Sequence, residues 1–331
     1  MQRIMASGRH SRLLAWAAGF AVVLSLIPES RAQTWPAKPV RMIVPFPPGA
    51  APDVVARLIA DRLSHGWGQP VYVENKPGAG GIPGMSTLAR SGADGYTVGF
   101  VPAAAAVLTP LLYKQPQYDM DRDIVPVAAV GTSPMMVVVP GTSAIRSMAD
   151  LAKEGKARPG TLNFAAAQAG SVPHLTGEML ARAGGFQLFT VPYAGSPAAI
   201  NAVLAGEAAL TIDGIPALVQ HVKAGKMRAL AVTSPRRLPG LESVPTVAET
   251  LPGFESLGWF ALFAPTGTPG AVVERINVDI NRLLDDKELV SRLADLGVYP
   301  MHGSAADLQA FVRGQQAVWK NTVQELAIQP Q

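Results

Sequence analysis

The sequence predicts an α/β protein with two lobes, each built on a mainly parallel sheet covered by helices. Three observations lead to this prediction. Short β-like runs alternate with amphipathic helical runs, the alternation occurs in two separate blocks, and two long apolar segments lie between the blocks. These segments, Val127–Val139 and Arg228–Thr233, are predicted to cross between the lobes as a two-strand hinge.

The first block has the order strand, helix, strand, helix, strand. Val40–Val44 is a predicted strand, and the helix after it has four apolar residues on one face, Val55, Leu58, Ile59 and Leu63. Pro52 lies at the start of this helix, where proline is tolerated. The block continues with the strand Val71–Glu74, a glycine loop, a short helix near residues 84–90 and the strand Tyr96–Val101.

The second block repeats this pattern, and a helical region ends the chain. The predicted strands are Leu162–Phe164, Phe189–Tyr193, Leu210–Ile212 and Met227–Val232, with helices near residues 172–183, 197–205 and 216–224. After Trp259–Pro265 the predicted helices are Pro269–Leu284, Lys287–Leu296 and Ala305–Leu326. A second set of strand–helix units is enough to build a second sheet.

The first residues have the layout of a secretory signal peptide. Arg3, Arg9 and Arg12 form a basic front, the apolar run Leu13–Ile27 follows, and a small-residue site ends at Ala32. The apolar run is shorter than the roughly 18 residues that a membrane span needs. We therefore expect export to the periplasm with cleavage after Ala32, and an N-terminal membrane anchor is the alternative.

Composition excludes several classes of function. The leader holds four of the 28 basic residues and one of the 24 acidic residues, so without it the net charge falls from +4 to +1. A nearly neutral chain gives no basic surface for nucleic acid or membranes. The chain has no cysteine, which excludes thiol nucleophiles, cysteine metal sites, disulfides and a lipid-anchored leader.

We expect no metal and no cofactor. The histidines after the leader are His65, His174, His221 and His302. They do not have the spacing of metal ligands.

The stretch VPFPPGAAPDVVARLIADRL, residues 44–63, joins a strand to a helix through a Pro/Gly loop. The first N–H groups of a helix have no partner within it and attract anions. Many such loops bind nothing. Asp53 near the helix start either contacts a ligand or caps the helix, and the sequence leaves both open.

A second glycine-rich loop, NKPGAGGIPG, covers residues 75–84. It does not bind nucleotides by a known motif, because its third glycine comes one residue late for G-x-G-x-x-G and the phosphate-loop lysine followed by Ser or Thr is missing. Two interpretations remain: a loop whose bare backbone approaches a small ligand, and a plain turn.

In the second block, Ser171 is a predicted N-cap. With His174 it makes an unconvincing catalytic pair, since no acid orients the histidine and no G-x-S-x-G motif is present. Tyr193 and Asp213 end strands, where they either line a cleft or make structural hydrogen bonds. Ligands of open α/β sheets bind at the carboxyl ends of strands, so two such edges across a hinge would clamp a small anion. This composition favours binding over catalysis.

Eight stretches make the chain resemble the periplasmic substrate-binding proteins of tripartite tricarboxylate transporters, often called the Bug family. They run in family order over nearly all of residues 35–326, and together they are highly specific. The stretches are WPAKPVRMIVPFPPGAAPDVVARLIADRL, VYVENKPGAGGIPG, DGYTVGF, TPLLYKQPQYDMDRDIVPVAAVG, SVPHLTGEML, VPYAGSPAAINAVLAGEAALTID, VKAGKMRALAVTSPRRLPGLESVPTVAET and GWFALFAPTGTP.

The resemblance implies a two-domain periplasmic binding protein fold of a type II-like kind. Both ends of the mature chain then lie in the first domain. The expected boundaries are residues 1–32 for the signal peptide, 33–131 and 256–331 for domain 1, and 132–255 for domain 2.

The resemblance also implies where the ligand binds. Backbone groups and ordered water from two domain 1 loops, Phe46–Asp53 and Pro77–Gly81, would hold one end of a carboxylated ligand, and domain 2 would contact the rest. The predicted ligand-binding residues are Phe46, Pro48, Gly49, Ala50, Asp53, Gly78, Ala79, Gly80, Ala104, Ala105, Ser171, His174, Tyr193 and Asp213.

The sequence departs from the family pattern in two places. Ala50 stands where the family often has a second glycine, and Val101–Ala106 lacks a side-chain hydroxyl that the family often has there. An apolar wall at this position favours a ligand with an apolar or aromatic body over a small, highly charged one such as citrate. A thermal-shift screen in which only small polar di- and tricarboxylates stabilise the protein would contradict this hypothesis.

The resemblance implies a solute-binding protein, not an enzyme, that delivers a small carboxylate to a membrane transporter made of a large and a small subunit. We expect a monomer. An extracytoplasmic sensor that presents the ligand to a signalling partner would use the same fold, so this alternative stays open, as does the identity of the ligand. An exported hydrolase would need an activated nucleophile, which the sequence does not show.

Overall fold

The fold is taken from a computed structural model that describes residues 35–167, 171–326 and 328–330. The chain divides into Met1–Ala37 and Lys38–Gln331, and the second unit carries the fold described below. The predicted signal peptide, residues 1–32, lies outside the described residues. Of the helices in the described ranges, none combines the length and hydrophobicity needed to cross a bilayer.

Among the described residues ten strands form one sheet: eight follow one another in the order β2-β1-β3-β9-β4-β7-β5-β6, and β8 and β10 pair with β4 beside this path. The strands are β1 Val40–Val44, β2 Val71–Asn75, β3 Thr97–Pro102, β4 Ile124–Pro140, β5 Leu162–Ala166, β6 Leu188–Pro192, β7 Leu210–Gly214, β8 Met227–Val232, β9 Leu257–Pro265 and β10 Tyr299–Pro300.

Helices cover both faces of these strands. They are α1 Ala51–Trp67, α2 Ile82–Ala89, α3 Thr109–Leu112, α4 Met148–Ala157, α5 Val172–Gly184, α6 Ser196–Leu204, α7 Ile215–Lys223, α8 Gly270–Leu283, α9 Lys287–Asp295 and α10 Ala305–Glu325. Single 3₁₀ turns cover Ala79–Gly81 and Val247–Glu249, and a π-helical turn covers Ala104–Leu108.

The first strand group consists of β1, β2, β3, β9, β10 and residues 124–134 of β4. β1 runs parallel to β2 and β3, as the alternation of strands and helices predicts, while β9 is antiparallel to β3 and β4. Helix α1 buries Val55, Ile59 and Leu63, which confirms its predicted apolar face, while the fourth predicted residue, Leu58, is half-buried.

The second strand group consists of β5, β6, β7, β8 and residues 135–140 of β4. β5 runs parallel to β6 and β7, and β7 and β8 both pair antiparallel with β4. β4 changes partners between Pro134, which pairs with Leu257 of β9, and Met135, which pairs with Gly214 of β7. The predicted α/β class is confirmed, but the sheet is mixed. β9 and β10 are antiparallel to their neighbours in the first group, and β4 is antiparallel to β7 and β8 in the second.

One expected crossing segment is placed differently by the structure. The predicted strand Val127–Val139 lies within β4 and does link the two groups. In contrast, β8, expected to cross within Arg228–Thr233, pairs only along residues 136–140 of β4 and stays in the second group. The chain returns to the first group through β9. Just before β9, Ser256 donates its N–H to the carbonyl of Thr233 at 3.2 Å, so this return starts beside the end of β8. The domain boundaries stay a prediction.

Several short elements were not expected from the sequence, among them α4 and the π-helical turn. Helix α4 begins after Ser147, whose hydroxyl accepts the Asp150 N–H at 3.1 Å, and this Ser-x-x-Asp spacing was the available signal. The π-helical turn Ala104–Leu108 lies in an alanine run that has no periodic pattern.

Candidate functional site

The loop between β1 and α1 is held in place by the buried side chain of Asp53. The N-cap of α1 is Ala50, which makes no side-chain cap, so Asp53 is the third helical residue. Its carboxylate reaches back and accepts the N–H of Gly49 at 2.8 Å. Gly49 has φ of +81°, a conformation that favours glycine, and the hydrogen bond fixes this turn of the loop.

Both carboxylate oxygens of Asp53 are engaged within the protein. Oδ2 also accepts Arg57 Nε at 3.1 Å, and Oδ1 accepts Asn75 Nδ2 at 2.9 Å and lies 2.9 Å from Arg57 Nη2. Burial alone would raise the pKa of Asp53, but these hydrogen bonds and the nearby guanidinium charge hold it below its ordinary value. Asn75 Nδ2 donates at 3.0 Å to the carbonyl of Phe46 as well, so the loop is fastened to the end of β2.

Few backbone donors remain in this first loop. Pro47, Pro48 and Pro52 have no N–H, and Ala50 donates to the carbonyl of Pro47 at 3.2 Å. Ala51 is left with an N–H that has no acceptor within the described residues. The helix start therefore supplies fewer anion contacts than the sequence pattern indicates.

The glycine loop before α2 supplies more donors. Gly78, Ala79, Gly80 and Gly81 have consecutive positive φ angles of 115°, 42°, 65° and 98°. Gly81 donates to the carbonyl of Gly78 at 2.7 Å, whereas the N–H groups of the first three residues have no acceptor in the part of the chain that the structure describes. Successive N–H groups in such a turn form a concavity that binds anions.

Close packing brings three segments of the first strand group together. A Cβ atom added at Gly81 would lie 3.1 Å from the Cβ atoms of both Pro45 and Ala105, and one at Gly84 would lie 2.7 Å from Pro45 Cα. The glycines therefore allow α2 and its loop to contact the end of β1 and the π-helical turn.

The two predicted alanines differ in position. Ala104 is half-buried, while Ala105 is fully buried and its carbonyl accepts the hydroxyl of Tyr118 at 2.5 Å. Burial raises the pKa of Tyr118, so this phenol remains a donor at all physiological pH values. Ala105 is therefore a core residue, and its side chain does not face solvent.

The predicted residues of the second strand group lie at the carboxyl ends of its parallel strands. Tyr193 follows β6 and donates its N–H to Ala166 of β5 at 2.8 Å, which ties these two strand ends together. Asp213 lies near the end of the neighbouring strand β7, between the starts of α6 and α7. The three strand ends form the edge at which open α/β sheets bind ligands.

Asp213 is buried, with 7% of its surface exposed. Oδ1 accepts the N–H of Gly214 at 2.7 Å, and Oδ2 has no hydrogen-bond partner within the described residues. Burial raises the pKa of Asp213, and the neighbouring Ser196 side chain and the Gly214 N–H offset part of this rise.

Ser171 caps α5, which confirms the predicted role. Its hydroxyl accepts the backbone N–H of His174 at 3.3 Å, and His174 Nε2 lies 3.7 Å from Glu178 Oε1. Burial lowers the pKa of His174, which the charge of Glu178 partly opposes, so the imidazole is mainly neutral at pH 7.

The start of α5 lies against the first strand group. Leu175 belongs to the same buried cluster as Ala105 and Trp259, and Phe46 packs against that cluster. Phe46, Ala105 and Leu175, the residue after His174, thus belong to one cluster, whereas Tyr193 packs on a separate cluster of the second group.

The predicted site residues differ in exposure. Pro48, Gly49, Gly78 and Ala79 are exposed, Phe46, Ala50, Gly80, Ala104, Ser171, His174 and Tyr193 are half-buried, and Asp53, Ala105 and Asp213 are buried. Sequence reasoning missed Arg57 and Asn75, which hold Asp53. Two sequence features could have indicated them. Arg57 follows Asp53 by four residues on one helix, and Asn75 lies at the carboxyl end of a parallel strand.

A cavity of about 740 Å³ lies elsewhere, between α5 and α10. Met179, Phe254 and Trp319 are among its lining residues, and none of the predicted site residues lines it.

The chain matches known proteins over most of its length. Residues 55–328 match the family model described as "Tripartite tricarboxylate transporter family receptor". Protein BugT of Bordetella pertussis is 36% identical over 318 residues, which cover 95% of this chain and 97% of BugT.

Two solved structures are also similar. Rpa4515 of R. palustris, solved with adipate, is 34% identical with a TM-score of 0.76, covering 90% of this chain and 100% of that one. MatC of Rhodopseudomonas palustris, solved with bound malate, is 30% identical with a TM-score of 0.70, covering 87% of this chain and 100% of MatC. These similarities confirm the expected binding-protein fold. The chain therefore belongs to the tripartite tricarboxylate transporter receptor family, the Bug family that its sequence motifs resemble.

Proposed function

We propose that this protein captures a small carboxylate between its two strand groups in the periplasm and delivers it to a tripartite tricarboxylate-type membrane transporter. In this proposal the leader is removed after Ala32, and the mature protein works as a monomer. The transporter has a large and a small subunit, and the protein releases its ligand chemically unchanged.

The observation that carries the proposal is that the N–H groups of Gly78, Ala79 and Gly80 have no acceptor among the described residues. Hydrogen bonds from backbone N–H groups to a carboxylate are charge-assisted, so a few of them hold an anion without a paired arginine. The N–H of Ala51 at the start of α1 adds a donor that the helix dipole strengthens.

The ligand is proposed to be a carboxylate because related proteins bind such molecules. Rpa4515 and MatC were solved with adipate and malate, which are both dicarboxylates. The half-buried Ala104 favours a ligand with an apolar body, because Val101–Ala106 carries no side-chain hydroxyl that could replace the water lost by a polar ligand group.

A thermal-shift screen of the mature protein tests the binding function. The probes are succinate, adipate, citrate and benzoate, each compared with its amide. We expect at least one carboxylate to raise the melting temperature and its amide to leave it unchanged, because only the anion profits from the N–H groups. A screen in which no carboxylate shifts the melting temperature would overturn the proposal.

Two further measurements separate the alternatives. A pull-down from membranes should capture a large and a small transporter subunit, whereas capture of a signalling protein instead would indicate a sensor. Mass spectrometry of the bound carboxylate after incubation should find it unchanged, and a new product would indicate an enzyme.

A further inference from the structure

The carboxylate of Asp213 is placed differently from the other buried acids. Within the described residues, the buried acidic side chains are Asp53, Asp213 and Asp279. Asp53 is held by Arg57 and Asn75. Asp279 accepts hydrogen bonds from Trp67 at 2.8 Å, Arg275 at 2.6 Å and Arg282 at 3.4 Å. Asp213 has no ion pair: its Oδ1 accepts the Gly214 N–H, the Ser196 side chain lies nearby, and its Oδ2 has no hydrogen-bond partner among the described residues.

Such a carboxylate is unfavourable in a folded protein, because it loses its hydration without gaining a full set of donors. Natural sequences keep unsatisfied buried polar groups mainly where something else satisfies them. The position of Asp213 indicates that a ligand would satisfy it, because Asp213 lies where β5, β6 and β7 end and where α6 and α7 begin. This edge is where a ligand enters an open α/β sheet.

We propose that Asp213 Oδ2 accepts a hydrogen bond from the ligand, so that the protein selects carboxylates that also carry a hydroxyl or ammonium donor. This assignment rests on the proposed function. The loops at Gly78–Gly80 hold the carboxylate end of the ligand, and Asp213 binds the donor at its other end. A second carboxylate at that end is disfavoured, because Asp213 repels it.

Binding measured by calorimetry on matched ligands tests this assignment. One set is hexanoate, adipate, 6-hydroxyhexanoate and 6-aminohexanoate, a second contains the four-carbon counterparts, and a third is benzoate with its 4-hydroxy and 4-aminomethyl derivatives. In at least one set we expect the donor-bearing ligand to bind about 10-fold more tightly than the plain acid or the diacid, the effect of a hydrogen bond to a charged group.

The Asp213→Asn variant should lose this preference. Its amide still accepts the Gly214 N–H through one oxygen and presents N–H groups in place of Oδ2, so it no longer favours a donor. Asp279→Asn is the matched control, because it also changes a buried aspartate but should keep the preference.

The outcomes separate the two proposals. Equal affinity for plain and donor-bearing acids in the wild type, as expected if a resident water satisfies Oδ2, would overturn the role of Asp213 and leave the carboxylate-binding function intact. A preference for donor-bearing acids that survives in Asp213→Asn would also overturn the role of Asp213 and leave the carboxylate-binding function intact. Failure of every carboxylate to bind would overturn the proposed function itself, and the assignment with it.

Discussion

Asp53 and Asp213 occupy comparable places, each near the start of a helix that follows a parallel strand, yet they differ in their donors. Asp53 is surrounded by groups that favour its charged form, and its pKa is lowered. Asp213 has only the Ser196 side chain and the Gly214 N–H to favour its charged form, and burial outweighs them, so its pKa is raised. At the scale of single residues, the first aspartate therefore stabilises the fold and the second costs stability in the free protein.

Replacing Asp53 by Asn should lower the free energy of unfolding at pH 7 by about 1–3 kcal/mol, because the donors of Gly49 and Arg57 lose a charged acceptor. The pKa of Asp53 is lowered in the folded state, so its contribution is present above the ordinary aspartate value of 3.8 and is lost as pH falls through the folded value. Urea unfolding between pH 7 and 3 measures this.

The control for Asp53→Asn is Asp61→Asn on the exposed side of the same helix. An exposed substitution there should change the free energy of unfolding by at most about 0.5 kcal/mol. Equal effects of the two substitutions would contradict the anchoring role of Asp53.

Replacing Asp213 by Asn should raise the free energy of unfolding of the ligand-free protein at pH 7, by on the order of 1 kcal/mol, since a buried charge is removed. The pKa is raised in the folded state, so the cost of the charge is absent below the ordinary value of 3.8 and complete above the folded value. Thermal unfolding at pH 7 and pH 3 should show the gain only at pH 7. A gain of the same size at both pH values would exclude this electrostatic origin.

At the scale of elements, glycines position α2 against the end of β1. Gly80 and Gly81 have positive φ angles, while Gly84 lies in α2, where its missing side chain allows contact with Pro45. The sequence showed a glycine-rich loop and a short helix near it. It did not show which segment they pack against, because that segment lies some 40 residues earlier in the chain.

Gly84→Ala should destabilise the protein by about 1–3 kcal/mol, because the new Cβ meets Pro45 Cα at 2.7 Å and the Lys76 carbonyl oxygen at 3.0 Å. We also expect weaker carboxylate binding, since the movement of α2 displaces the loop at Gly78–Gly80. Chemical denaturation and the thermal-shift screen measure the two effects.

Gly66→Ala serves as the comparison for Gly84→Ala. Gly66 lies in α1, and no atom lies within 4 Å of its added Cβ. Alanine there should be neutral or stabilise the helix by up to about 1 kcal/mol, without a change in binding. A destabilisation similar to that of Gly84→Ala would show that close packing is not the cause.

At the scale of the whole molecule, three buried hydroxyl residues surround the point where β4 changes partners. Thr233 Oγ1 accepts the N–H of Met135 at 2.9 Å, and Met135 accepts the Thr233 N–H at 2.9 Å. Thr176 Oγ1 and Ser256 Oγ lie 2.6 Å apart beside them. The Thr233 contacts satisfy backbone hydrogen-bonding groups where the strand pairing of β4 is interrupted. The contact between Thr176 and Ser256 links α5 to the residue before β9.

Thr233→Val removes this hydroxyl with little change in shape and leaves the buried N–H of Met135 without its acceptor. The free energy of unfolding should fall by about 1–3 kcal/mol. Thr87→Val, on α2, is the matched control, because its hydroxyl bonds only the Pro83 carbonyl of its own helix. Urea unfolding that gives the same value for both variants would contradict a special role of the junction.

The sequence by itself determined the alternation of strands and helices, the Ser171 cap and the family, because these depend on patterns that span a few neighbouring residues or on the order of motifs. The tertiary structure alone decided the role of each aspartate. Asn75 lies 22 residues from Asp53, and nothing local indicates that it donates to that carboxylate. In the same way, only the packed chain shows that Oδ2 of Asp213 is buried with no hydrogen-bond partner among residues 35–167, 171–326 and 328–330, since burial depends on segments that are distant in sequence.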